Sequence, residues 1–197
     1  VGALYQNKGL KISGSVLTNQ SDGQTIAPQT IISGSDTTNL QGYNNYFDVR
    51  TATIAASMPI SDDWQLSLRA AYDVRDFSAR YFYTTSTFDK STETTANTWI
   101  QAQAKHIGSS SSTDINIAYK YNTDEFIFSP DFPSTNLHTT NFWNFNVNHL
   151  QIVDENLSLK FGGQLDRREV ESTDRGDHND LHYGAYAMSV FRPTNQL

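Results

Sequence analysis

The 197 residues, 37% of them hydrophobic, carry a formal net charge of −7 and no cysteine. That length suits one domain, the acidic balance without a Lys/Arg cluster excludes a nucleic-acid partner, and the missing thiols remove thiol catalysis, zinc–thiolate sites and disulfides together. With a mean hydropathy of −0.54, no run approaches the roughly 20 apolar residues of a membrane-spanning helix, whereas a barrel strand needs lipid-compatible side chains at alternate positions only.

Period two is the dominant pattern. A weak alternation of Leu10, Ile12, Gly14 and Val16 leads into a long polar stretch at 18–46, and Ala52, Ile54, Ala56 and Met58 lead into a short connection at 59–63. Over 64–73, Leu66, Leu68, Ala70 and Tyr72 alternate with Gln65, Ser67, Arg69 and Asp73. A Thr-rich connection at 84–94 precedes a strand over 95–107, where Ile100, Ala102 and Ala104 oppose Gln101 and Gln103. Past a short connection at 108–112, Ile115, Ile117, Tyr119 and Tyr121 alternate with Asp114, Asn116, Ala118 and Lys120. A polar segment at 122–139 separates these from Trp143, Phe145 and Val147, set against Asn144, Asn146 and Asn148. A short connection at 153–156 opens a strand over 157–170, with Leu157, Leu159, Phe161 and Leu165 against Ser158, Lys160 and Gln164. A loop at 171–179, a strand-like stretch at 181–191 and a short connection at 192–196 complete the chain. The first residue is Val1 rather than Met, and the last lie just past a turn, so both ends read as cuts.

Helical spacing is missing and β-branched and aromatic residues fill the periodic segments, so the expected fold is all-β: an antiparallel up-and-down meander of about eight strands. Its connections alternate short and long, which puts tight turns at one end of the sheet and polar loops at the other, as in outer-membrane barrels. Strands near ten residues match the reach of a tilted membrane strand. Trp64, Tyr119, Tyr121, Trp143 and Phe145 stand where an interfacial girdle belongs, although a soluble core would use the same rings. Residues 1–197 are therefore expected to form part of a transmembrane β-barrel in the outer membrane. Leu66, Leu68, Ile115, Ile117, Phe145 and Val147 would face lipid; Arg69, Lys120, Lys160, Gln101, Gln103, Asn144, Asn146 and Gln164 would line a hydrated interior. A small complete barrel with an adhesive or structural role, or a soluble all-β binding module, would satisfy the same alternation.

Three segments stand apart from the plain alternation: Arg75-Asp76-Phe77-Ser78-Ala79-Arg80-Tyr81-Phe82-Tyr83-Thr84, then Asn122-Thr123-Asp124-Glu125-Phe126-Ile127-Phe128-Ser129-Pro130, then Arg167-Arg168-Glu169-Val170-Glu171-Ser172-Thr173-Asp174-Arg175-Gly176-Asp177-His178. In their order and spacing they resemble the barrel of TonB-dependent receptors, and more loosely the vitamin-B12-receptor-like branch. The resemblance implies a partial receptor, without the plug domain that fills such barrels. The whole would import a scarce nutrient, such as a siderophore or cobalamin, with energy from an inner-membrane transducing protein.

Two groups are candidates for ligand contact. Arg80, Tyr81 and Tyr83 mix guanidinium and aromatic faces that stack on flat or sugar-like solutes, or anchor at a membrane interface. Asp174, Arg175 and His178 lie in a polar loop that Gly176 lets turn tightly, a composition that solvation alone also explains. Five histidines, at 106, 138, 149, 178 and 182, invite acid–base or metal roles. On a strand, however, His178 and His182 stand about 13 Å apart, too far to share a metal. The pairs Asp62/Asp63 and Asp174/Asp177 fall short of the six or more oxygens that calcium requires. With no phosphate loop, nucleophile elbow or zinc-protease helix, neither an enzyme nor a cofactor is expected, and the ligand stays unnamed.

Overall fold

Alternating side chains make every strand two-faced, and here the two faces separate apolar from polar across the middle of the sheet. The computed structural model describes residues 1–33 and 35–193, all as strands and connections without a helix. The strands are β1 (Gly2–Asn7), β2 (Leu10–Ile26), β3 (Gln29–Ser33), β4 (Asp36–Leu40), β5 (Tyr43–Pro59), β6 (Trp64–Ser78), β7 (Thr92–Ile107), β8 (Ser111–Ser129), β9 (Phe132–Ile152), β10 (Leu157–Ser172) and β11 (His178–Phe191). Nine of them form one antiparallel sheet in the order β1-β2-β5-β6-β7-β8-β9-β10-β11, with β3 and β4 as a separate hairpin. Among the described residues β1 and β11 each pair on one side only, so the sheet is an open meander. It has one strand more than the alternation predicts, because the short β1 carries no clear pattern.

Register turns the alternation into rows. Tyr5, Ile12, Ala56, Leu68, Ala102, Ile117, Phe145, Leu165 and Tyr183 stand side by side across all nine strands. The next row on that face runs Met58, Leu66, Ala104, Ile115, Val147, Gly163 and Ala185. On the opposite face the corresponding row is Gln6, Lys11, Ser57, Ser67, Gln103, Asn116, Asn146, Gln164 and Gly184, polar throughout save the terminal glycine. The eight interior-facing side chains expected from the sequence all lie on this polar face. Hydrogen bonds lace it, among them Gln103 Nε2 to Asp114 Oδ2 at 2.8 Å and Thr51 Oγ1 to Asp73 Oδ2 at 2.8 Å.

Among the described residues nothing forms a second layer over the apolar face. Leu68, Ile117, Phe145 and Leu165 are 46%, 47%, 42% and 44% exposed, and Leu40, Ala71 and Ala79 are the buried apolar residues among those described. In β6 the apolar positions run from Trp64 to Val74 before Asp76 ends them, close to the 9–11 residues of a tilted membrane strand. Aromatic rings bracket the band: Trp64 beside His106 and His149 beside Phe161 at one edge, Tyr119 against Trp143 toward the other. Arg167 interrupts the face in β10 and is neutralised by Glu169 two residues on.

The connections at 60–63, 108–110 and 153–156 are tight and share one end of the sheet with the two-residue turn at Lys8 and Gly9. Both turn residues have positive φ, 44° and 86°, the backbone of a primed hairpin turn that matches strand twist. At the other end two expected loops are largely strand. The stretch at 122–139 continues β8 and β9, paired from Asn122↔Thr140 out to Ile127↔Thr135 and turning at Pro130 and Asp131. The stretch at 18–46 holds the ends of β2 and β5 around the β3–β4 hairpin. Both hold several Thr with strand-forming apolar residues, Phe126, Ile127 and Phe128 in the first and Ile26, Ile31, Ile32 and Tyr43 in the second, and ladder pairing satisfies their backbone groups. Among the described residues the longest connections at this end are 79–91 and 173–177. Of the short connection expected at 192–196, residues 194–196 lie outside the described residues.

Candidate functional site

The polar face deepens into a cleft of about 480 Å³ at the end opposite the tight turns, lined by Tyr83, Glu93, Asp124, Phe126, Asn136, His138, Asp174 and Arg175. Register places most of it: Glu93, Phe126 and Asn136 form one row across β7, β8 and β9, while Asp124, His138 and Ser172 form the next across β8, β9 and β10. Two connections supply the rest.

The 79–91 connection brings in Tyr83. Asp89 is buried within it, and its carboxylate accepts the backbone N–H groups of Tyr81 and Ser91, each at 2.8 Å. That clamp holds Tyr81 at φ 65°, a conformation costly for a side chain with a Cβ. Lys90 ties the connection to the β8–β9 turn by donating from Nζ to Asp131 at 2.5 Å and from its backbone N–H to the Phe128 carbonyl at 3.1 Å. Tyr83 thereby lies edge-on to Phe126, with ring centroids 5.3 Å apart, and donates its hydroxyl to Glu93 Oε2 at 2.8 Å. The hydrogen bond to Glu93, together with burial and the charges of Glu93 and Asp124, pushes the phenol up to about 12.

The 173–177 connection brings in Asp174 and Arg175. Ser172 Oγ accepts the Arg175 N–H at 2.9 Å, lies 3.0 Å from Asp174 Oδ1 and 2.8 Å from His138 Nδ1. His138 Nε2 is 3.6 Å from Asp174 Oδ1, so one hydroxyl and one imidazole fix the turn to β9. Gly176, at φ 75°, reverses the chain. The Arg175 side chain extends into solvent, with Nε 3.9 Å from Asp174 Oδ2.

Of the six residues singled out from the sequence, Tyr83, Asp174 and Arg175 meet in this cleft. Arg80 and Tyr81 line a separate cavity of about 240 Å³ between the 79–91 connection and the β3–β4 hairpin. There the Arg80 guanidinium already lies over the Tyr43 and Tyr81 rings, 5.4 and 5.0 Å from their centroids. His178 starts β11, its Nε2 3.1 Å from the Arg175 carbonyl oxygen. Glu93, Asp124, Phe126 and Asn136 escape sequence reading because 84–94 and 122–139 look like loops, where parity assigns no face. Extending the β8 alternation past Lys120 puts Asn122, Asp124 and Phe126 on the polar face and would have found two of the four.

Electrostatically the cleft is acidic. Glu93, Asp124 and Asp174 outnumber the single permanent cation, Arg175; Glu93 is only 9% exposed, and Asp124 Oδ1 is buried without a hydrogen-bond donor. Among the described residues no group of three or more His, Cys, Asp or Glu side chains is arranged to hold a metal ion.

No family model matches the sequence, and no curated protein matches it. Among solved structures the chain is similar to the ferric yersiniabactin uptake receptor FyuA of Yersinia pestis, with a TM-score of 0.39 and 11% identity, covering 91% of this chain and 31% of that one. The chain thus spans less than a third of that receptor's length.

Proposed function

We propose that this chain is a stretch of wall from an energy-coupled outer-membrane receptor that imports a scarce solute, with lipid on its apolar face and a hydrated passage on its polar face. What carries the reading is the nine-strand apolar row from Tyr5 to Tyr183, unopposed on its own side and backed by a polar row. In water each large side chain of this row, already about half covered, would forfeit on the order of 1 kcal/mol of burial; in a bilayer it forfeits nothing. The tight turns at one end and the elaborated connections at the other add an inner and an outer side, as expected for a barrel wall. In the intact receptor the polar face would meet a plug domain, and an inner-membrane protein would supply the energy. The chain's contribution is binding surface and wall rather than catalysis.

The absence of native cysteines makes the test direct. Single substitutions Asn116→Cys and Ile117→Cys in the bilayer-reconstituted protein should react oppositely: a water-soluble maleimide labels the first quickly, and a spin label at the second is reached by oxygen but not by a polar nickel complex. Equal aqueous access at both positions would overturn the reading.

A further inference from the structure

On the polar face beside β11, register lays out a grid of positions in which one is left blank. Asn144, Asp166 and His182 form its first row, Asn146, Gln164 and Gly184 the second, and Asn148, Gly162 and Tyr186 the third. Tyr186 covers Gly162 by reaching over it to Asn148, whereas a Cβ at Gly184 would meet nothing within 4 Å. Glycine weakens a strand, and inside one it marks a bulge, a bend or a place where something approaches the backbone closely. The β10–β11 ladder passes Gly184 without a register shift, so no bulge accounts for it. Around the blank position lies a cavity of about 410 Å³ between β9, β10 and β11, a size usual for small-molecule sites.

The lining is held in place by its own hydrogen bonds. Its one carboxylate, Asp166, accepts Asn144 Nδ2 on Oδ1 and Gln164 Nε2 on Oδ2. A carboxylate only accepts, so the Gln164 amide is fixed with Nε2 toward Asp166 and Oε1 left over. Asn148 Oδ1 accepts the Tyr186 hydroxyl at 2.6 Å, and Asn148 Nδ2 donates to Asn146 Oδ1 at 3.0 Å, which leaves Asn146 Nδ2 as a donor. Among the described residues Asn146 Nδ2 and Gln164 Oε1 make no hydrogen bond, and the two residues are register partners. A donor beside an acceptor suits a hydroxyl group, which accepts and donates at once; an ammonium could use only the acceptor and a carboxylate only the donor. The half-exposed Tyr186 ring borders the same cavity and adds an apolar surface. We infer that this cavity binds a neutral saccharide unit, with a hydroxyl bridging Asn146 Nδ2 and Gln164 Oε1, the ring seated over Gly184 and its C–H side against Tyr186. The inference deepens the importer reading by naming a class of solute, and rests on it only for access from a hydrated passage.

The test uses the full chain in phosphatidylcholine nanodiscs, with empty discs as blank and saturation-transfer NMR as the readout. The probes are the methyl glycosides of glucose, galactose and mannose, with glucosamine and glucuronate as the same ring bearing an ammonium or a carboxylate. At least one methyl glycoside should bind about fivefold or more tightly than either charged ring, with saturation strongest on one side of the sugar. Gly184→Val fills the recess with a residue suited to a strand and should abolish the signal while the urea midpoint stays unchanged. Gln164→Met should weaken binding about fivefold; Gln103→Met, the same change in the same row on β7, should leave it unchanged. Comparing probes on the unsubstituted chain keeps the test independent of whether any variant folds. No glycoside binding, charged rings binding as tightly, or equal losses in the two Gln variants would overturn the inference. Cysteine labelling at Asn116 and Ile117 reports on the wall reading separately: alternation there with no glycoside binding rejects the saccharide site alone, and loss of alternation with binding retained rejects the wall and keeps the site.

Discussion

At Gly162 the missing side chain is itself a structural part. A Cβ there would lie 2.5 Å from the Val147 carbonyl oxygen, 2.8 Å from Tyr186 Cε1 and 2.9 Å from Asn148 Oδ1, because the Tyr186 ring from β11 lies across the glycine to reach Asn148 on β9 at 2.6 Å. Tyr186 thus ties three strands together. Gly162→Ala should cost about 1–3 kcal/mol by forcing the ring and backbone apart. Gly184→Ala, where a Cβ meets nothing within 4 Å, should fall within about 0.5 kcal/mol of neutral. Urea unfolding of both variants in micelles makes the comparison, and equal midpoints would refute it. Tyr83 offers a second test at this scale. Its folded pKa, pushed up to about 12 from an ordinary 10.0, means that the neutral phenol's hydrogen bond to Glu93 stabilises the fold fully below pH 10 and ceases to do so as the pH rises through 12. A tyrosinate difference titration between the unsubstituted chain and Tyr83→Phe should isolate one step near 12; a step near 10 would contradict the bond.

Among the elements, the 79–91 connection depends on one carboxylate. Asp89→Ala strips acceptors from the N–H groups of Tyr81 and Ser91, each loss worth about 1.5–3 kcal/mol for a charged acceptor. The connection should then become the first site of cleavage in limited proteolysis, with the sheet itself still protected; unchanged cleavage would show that Asp89 is not the clamp. How far the elements were legible in the sequence follows from the same physics. Period two assigned both faces of β5 to β10 correctly wherever one face was apolar, because hydrophobicity then marks the parity. It fails where neither face is consistently apolar, as beyond Asn122 in β8, where Phe126 and Ile127 fall on opposite faces among polar residues, and the stretch reads as loop. The cleft suffered most, because Glu93, Asp124, Phe126 and Asn136 all lie in such stretches. Tyr83, Asp174 and Arg175 stood out as unusual loop composition, but no local pattern tells that Tyr83 turns toward β8 while Arg80 and Tyr81, a few residues earlier, turn toward the β3–β4 hairpin.

For the whole molecule, a sheet with a greasy side whose edge strands β1 and β11 are each paired on one side only among the described residues is sensitive to its surroundings. In the absence of detergent or lipid the chain should self-associate through β11, visible as large species in sedimentation, whereas a monodisperse detergent-free sample would argue against an apolar side made for hydrocarbon. Where the greasy band stops, the ladder does not. From Tyr121 to Ser129, β8 continues paired with β9, about 26 Å of further strand at roughly 3.3 Å per residue. The approach to the cleft is therefore built as stiff masonry rather than as dangling chain. A visiting solute would have little loose backbone to freeze on arrival, so capture there should be quick, with selectivity exercised mainly through how long each visitor stays.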